Sequence, residues 1–150
     1  MTFDPDAILS AIPHRPPFLF VDEIVEWTDE EIVCRYQFKE DEFFFQGHYP
    51  GFPIVPGVIL CESAMQSGAI LATRLFSEEE LSGGVVPVVG RMFEIKFKRV
   101  VRPGETIENR VSFKEKLGGA LVLRAVVRRD GALAASFEFA VTLAPRSSEK

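Results

Sequence analysis

The run Val58-Ile59-Leu60-Cys61-Glu62-Ser63-Ala64-Met65-Gln66-Ser67-Gly68-Ala69-Ile70-Leu71-Ala72-Thr73-Arg74-Leu75-Phe76 decides the architecture. It is apolar on nearly every side and has no β-branched run after Ile59, which favours one helix of about five turns. On length alone it is about enough to span a bilayer, but Glu62, Gln66 and Arg74 interrupt it, so it reads as a buried core helix with no membrane insertion. A helix apolar all round must be wrapped by other elements.

The second half of the chain supplies the wrapping. Strand candidates run Arg91–Val101, Thr106–Leu117 and Ala120–Arg129, and a fourth, Ala132–Leu143, alternates Leu133, Ala135, Phe137, Phe139, Val141 and Leu143 with its other residues. Gly118-Gly119 and Asp130-Gly131 separate successive strands and accept positive φ in tight hairpins, so an antiparallel meander is expected. Ahead of the helix, Phe18–Glu26 and Glu31–Phe38 are strand candidates joined at Asp29-Glu30. Met1–Pro13 reads as a short helical turn or arm, Pro13-His14-Arg15-Pro16-Pro17 as extended backbone, and Ala144–Lys150 as a frayed tail. One buried helix with two strands before it and a meander after it makes an α+β domain.

Composition narrows the function classes. The 150 residues, 47% hydrophobic and 26% charged, fit one domain spanning 1–150 with an ample core. A formal net charge of −5 argues against non-specific nucleic-acid binding, which rests on the summed attraction of Lys and Arg to phosphates. Cys34 falls in a strand-like run and Cys61 in the helix, and two histidines stand at no ligand spacing, so neither a disulfide framework nor a metal site is indicated. Met1–Ser10 has no basic segment leading into an apolar one, so it does not read as a secretory signal, and a reduced cytoplasmic setting is expected.

Between Asp41 and Gly57 the periodicity stops, and Gly47, Pro50, Gly51, Pro53, Pro56 and Gly57 fix an irregular path of the kind that carries functional groups. His48 sits there, and imidazole accepts a proton near neutrality. A lone loop histidine is more often structural, but Glu62 shifts that balance. It lies in the second helical turn among Leu60, Cys61, Ala64 and Met65 with no Lys or Arg within a turn, so burial there favours the protonated carboxyl that a general acid needs. The plainer alternative is a carboxylate held by the helix dipole. Gln66 follows on the same face and can orient that carboxyl or meet a ligand.

Pro56-Gly57-Val58 opens the helix, and Gly57 leaves its own amide and those after it approachable as donors to an oxygen that gains charge. Cys61 lies in an apolar run, without the electropositive setting of a reactive thiol. His14 has basic and proline neighbours and no carboxylate nearby in sequence, and reads as structural. Lys96, Lys98, Arg99 and Arg102 form a basic strand edge on an acidic protein, either an ordinary solvated face or a docking surface for an acidic carrier protein.

At these residues the chain resembles the FabZ-type 3-hydroxyacyl-[acyl-carrier-protein] dehydratases. Three blocks in order carry the resemblance over nearly the whole length. They are Ile12-Pro13-His14-Arg15-Pro16-Pro17-Phe18-Leu19-Phe20-Val21-Asp22; Phe44-Phe45-Gln46-Gly47-His48-Tyr49-Pro50-Gly51 with Pro53-Ile54-Val55-Pro56-Gly57-Val58, Glu62 and Gln66; and Phe97-Lys98-Arg99-Val100-Val101-Arg102-Pro103-Gly104-Glu105. Tyr49, where the family often has Phe, Phe52 in the loop, and Cys61 with Ser63-Ala64-Met65, where the family usually shows a small aliphatic set around the glutamate, are departures.

The resemblance implies a hotdog fold, an antiparallel sheet wrapped around one long central helix. It implies dehydration of 3-hydroxyacyl groups on acyl carrier protein to trans-2-enoyl thioesters in fatty acid biosynthesis, without metal or redox cofactor. His48 matches the family's catalytic histidine, Glu62 its catalytic carboxylate, Gly57 the helix-start amide that holds the thioester carbonyl, and Gln66 a helix residue near the site. The implied partners are the phosphopantetheine-linked substrate on its carrier and a second copy of the chain. In such a homodimer the histidine of one subunit faces the glutamate of the other, and dimers often assemble into a trimer of dimers. Two other readings stay open on the residues: a hotdog acyl thioesterase, and a non-catalytic acyl-thioester-binding subunit, which would have no need of the His48 and Glu62 pair.

Overall fold

The computed structural model describes residues 3–146. Helix α1 (Pro5–Ala11) opens the chain, its first turn capped by the Asp4 carboxylate, which accepts from the Asp6 amide. Strands β1 (Glu23–Trp27) and β2 (Glu31–Gln37) precede the long helix α2 (Gly57–Leu75). A short helix α3 (Glu78–Leu81) and strands β3 (Val85–Phe97), β4 (Thr106–Leu117), β5 (Ala120–Arg129) and β6 (Ala132–Pro145) follow. The strands form one antiparallel sheet in the order β1-β2-β4-β5-β6-β3. Helix α2 packs against β2, β4, β5 and β6. This is the α+β hotdog arrangement that the resemblance implies.

The alternation read from the sequence is what buries α2. Leu121, Leu123, Ala125 and Val127 of β5 and Ala135, Phe137, Phe139 and Val141 of β6 are buried, because successive side chains of a strand point to opposite faces. The sheet comes so close to the helix at Gly68 that a Cβ there would lie 2.6 Å from the Phe139 ring. The expected tight turns are present, with Gly118 at φ 60°, Asp130 at 52° and Gly131 at 78°.

Several boundaries differ from the sequence reading, and at most of them a backbone group finds a different partner. The strand expected from Phe18 begins at Glu23. The Phe20 amide donates to Gln66 Oε1 at 2.8 Å, Gln66 Nε2 donates to the Phe18 carbonyl at 3.0 Å, and Ser63 Oγ donates to the Phe20 carbonyl at 2.7 Å. This stretch is therefore tied to the helix and not to a strand. β3 starts at Val85, six residues before the expected Arg91, and ends at Phe97, where the Lys98 and Arg99 amides both turn to the Ala134 carbonyl. The tail does not fray at Ala144, because β6 continues to Pro145 and the Arg146 amide donates to the Gly84 carbonyl at 2.8 Å. Residues 147–150 and the first two residues lie outside the described region. Helix α3 was not expected, although Ser77 and Glu80 form a capping box whose pattern stands in the sequence.

β3 bonds to β6 along one side only, and Val88, Val89, Met92, Ile95 and Phe97 are exposed along it. A long apolar edge strand invites pairing with another chain. No helix among the described residues is long and apolar enough to cross a membrane.

Candidate active site

His48 is held by its own loop. After the short helical turn Phe43–Gln46, the His48 amide donates to the Phe44 carbonyl at 3.1 Å and the Ile54 amide to the His48 carbonyl at 3.0 Å. The ring nitrogen Nδ1 lies 3.0 Å from the Ile54 carbonyl oxygen. A carbonyl can only accept, so that partner assigns the proton to Nδ1 and leaves Nε2 with a lone pair. The Tyr49 ring stacks on the imidazole at 4.1 Å. His48 is thus an oriented imidazole whose other nitrogen can take a proton.

The same loop delivers the start of α2. Pro56 is the N-cap and offers no side-chain bond, so the Gly57 and Val58 amides have no acceptor among the described residues. A Cβ on residue 57 would lie 2.8 Å from the Phe97 ring. His48, Gly57, Val58, Phe97, Arg99 and Val100 are among the residues lining a hollow of about 340 Å³. His48 and the helix-start residues Gly57 and Val58 therefore border one space.

Glu62 lines a different hollow, of about 260 Å³, together with His14, Gln66, Val88 and Val89. Its side chain keeps 22% exposure and is not sealed in apolar surroundings as the helix alone suggests. Gln66 Nε2 donates to Glu62 Oε2 at 2.9 Å. The Gln66 side chain is buried, and with the Phe18 and Phe20 bonds its amide is fully engaged, which fixes the carboxyl through a rigid neighbour. His14 Nε2 stands 3.7 Å from the same carboxyl oxygen. The sequence reading missed this contact, because the partner lies far along the chain and only the fold brings the two together. Past Ala69 and Pro87 the space adjoins an open hollow of about 410 Å³, with Ile12, Ala72, Phe76 and Val85 on its apolar side and Arg15, Thr73 and Arg146 on its polar side.

Within one chain, then, His48 and Glu62 do not share a hollow. Both hollows border β3, one through Val88 and Val89 and the other through Phe97.

Comparison with known proteins bears on the family and the fold. Residues 12–138 match the model of the FabA-like domain. The chain belongs to the FabA-like family. This FabA-like chain is 36% identical over 140 residues to the 3-hydroxyacyl-[acyl-carrier-protein] dehydratase FabZ of Anaeromyxobacter sp. (strain K), covering 93% of the chain and 89% of that protein. It is 38% identical over 133 residues to the FabZ of Streptococcus gordonii, covering 89% and 92%. Among solved structures, the dehydratase heterocomplex ApeI:P from Xenorhabdus doucetiae superposes with a TM-score of 0.79 at 11% identity, over 97% of this chain and 94% of that one. The hypothetical protein SAV0944 from Staphylococcus aureus, as its Glu47Ala mutant, gives 0.64 at 11% identity over 81% and 92%. At that identity the likeness is one of fold.

The remaining candidates of the FabA-like chain are the basic residues at and after the end of β3 and the two cysteines. Lys96, Lys98, Arg99 and Arg102 are exposed and none has an ion-pair partner among the described residues. Arg99 alone of the four also lines the His48 hollow. The Cys61 thiol is pushed up to about 11 by burial and by the Glu62 charge, so it is no nucleophile at neutral pH. Burial likewise pushes the Cys34 thiol up to about 12, against a smaller opposing effect of the Ser67 hydrogen bond.

Proposed function

We propose that this FabZ-type chain is a hydro-lyase that dehydrates 3-hydroxyacyl groups on acyl carrier protein to trans-2-enoyl thioesters in fatty acid biosynthesis. The observation that carries the reading is the pairing of an oriented, lone-pair imidazole with a held carboxyl in two hollows that flank the same exposed strand. A two-fold pairing of β3 edges would bring the His48 hollow of one copy against the Glu62 hollow of the other, and would cover the exposed apolar residues of that strand. A homodimer with two composite sites is the working unit, and further assembly of three dimers follows the family resemblance.

In that site the thioester carbonyl accepts from the Gly57 and Val58 amides, which lowers the cost of charge on its oxygen as the C2 proton leaves. His48 Nε2 takes that proton, and the electron pair forms the C2 to C3 double bond. The C3 to oxygen bond breaks as Glu62, in its protonated form, gives its proton to the departing hydroxyl, and water leaves. A return proton from imidazolium to carboxylate resets the pair. In the adjoining hollow, Ile12, Ala72, Phe76 and Val85 offer apolar surface to the acyl tail.

Lys96, Lys98, Arg99 and Arg102 would receive the acidic carrier, with Arg99 nearest the thioester. We read residues 1–150 as a single domain, which the single buried core supports. A cytoplasmic setting suits Cys34 and Cys61, which are both unpaired.

The test is to incubate the protein with a 3-hydroxyacyl thioester on acyl carrier protein and follow the 2-enoyl product, alongside folded His48→Ala and Glu62→Gln variants. The proposal expects wild-type turnover and a loss of at least about a hundredfold in each variant. Release of free acid and thiol, or absence of turnover at several chain lengths, would overturn it.

A further inference from the structure

His14 lies outside the pair just described, yet the fold sets it on Glu62. Its backbone is confined by Pro13 on one side and Pro16-Pro17 on the other. The adjacent Arg15 guanidinium donates to the carbonyls of Leu9 at 3.0 Å, Ile12 at 2.9 Å and His14 at 2.6 Å. The imidazole is therefore presented by a fixed segment. Its Nε2 lies 3.7 Å from Glu62 Oε2, the oxygen that already accepts from Gln66 Nε2 at 2.9 Å. Its Nδ1 is buried and has no hydrogen-bond partner.

A carboxylic acid carries its proton on one oxygen only, and an oxygen that accepts from N–H donors is the poorer place for it. Gln66 holds Oε2 from one side, and His14 with its proton on Nε2 would hold it from another. The acid proton is then left on Oε1, the oxygen neither of them touches. The 3.7 Å separation is longer than a hydrogen bond, and such contacts commonly tighten when substrate binds.

We infer that His14 is a positioning residue which, with Gln66, claims Oε2 of Glu62 and so directs the acid proton to Oε1, where the substrate's 3-hydroxyl receives it. This rests on the dehydratase reading above. His14 need not touch substrate and takes no proton from it.

The experiment compares full-length wild type with His14→Leu, which has no donor, and His14→Gln, whose amide can present an N–H near the position of Nε2. The expected result is a kcat about tenfold lower in His14→Leu with KM within about twofold of wild type, and recovery of most of that loss in His14→Gln. A leucine variant with unchanged kcat overturns the inference, and so does a glutamine variant as impaired as leucine with raised KM, which is the signature of lost packing. A second measurement does not depend on turnover: the ¹⁵N imidazole spectrum of wild type should show His14 protonated at Nε2, with a resonance that moves in Glu62→Gln. A resonance that does not move overturns the inference even if His14→Leu fails to fold. A wild type without dehydratase activity would sink the parent reading, and the spectrum would still decide whether His14 and Glu62 are coupled.

Discussion

Gln66 shows how much one side chain does in this molecule. It is 1% exposed, accepts from the Phe20 amide and donates to both the Phe18 carbonyl and Glu62. Gln66→Leu strands buried backbone groups as well as releasing the carboxyl, and an unmet buried group costs about 1–3 kcal/mol. The expected outcome is a lower unfolding free energy together with lower kcat, read by chemical denaturation and turnover. A variant as stable as wild type would show that those bonds carry no weight. The thiols give a cheaper check. A cysteine with pKa raised to about 11 or 12 is almost wholly neutral at pH 8, so native protein should resist alkylation there, and reactivity should climb only as pH rises toward those values. Rapid alkylation at pH 8 would contradict the burial of both.

Much of the proposed site is a reading of the sequence itself. His48 and Glu62 announce themselves as an imidazole in a stiff loop and a carboxyl in an apolar helix, and Gln66 as the next residue on that face. The Phe18 and Phe20 bonds to Gln66 and the approach of His14 were not legible. They join segments far apart in sequence, and no local pattern encodes which segment docks on which.

At the scale of elements, two glycines of α2 separate packing from function. A methyl at Gly68 would meet Phe139, which is fully buried, at 2.6 Å. Alanine is the better helix former by about 1 kcal/mol, but overpacking a tight core costs about 1–3 kcal/mol. Gly68→Ala is therefore expected to lower stability, measured by the shift in denaturation midpoint, and a stabilised variant would contradict the fit. A methyl at Gly57 meets only the Phe97 ring, which is 51% exposed and can swing away. Gly57→Ala should therefore keep its stability and lose turnover by crowding the donor amides. The strands show a similar division. β4 and β5 match the sequence reading residue for residue because hairpin turns and alternation bound them. β3 was misplaced because its side chains are exposed for much of its length, so the inward and outward alternation that marks a strand is weak.

At the scale of the whole molecule, the described chain is half of the proposed machine. A sheet that ends in an exposed apolar strand, with one hollow at either part of that strand, is compatible with the proposed dimer, in which His48 of one copy would meet Glu62 of the other. The exposed Val89 tests the edge itself. Val89→Lys should give a protein that is folded by circular dichroism, smaller by light scattering and inactive, whereas an active variant of unchanged mass would place the interface elsewhere. The most direct measurement co-expresses His48→Ala with Glu62→Gln and assays the mixture. If each site takes His48 from one copy and Glu62 from the other, half of the dimers are mixed and each carries one intact site, so activity should return to about a quarter of wild type. A mixture that exchanges subunits and stays as inactive as either variant alone would contradict the composite site.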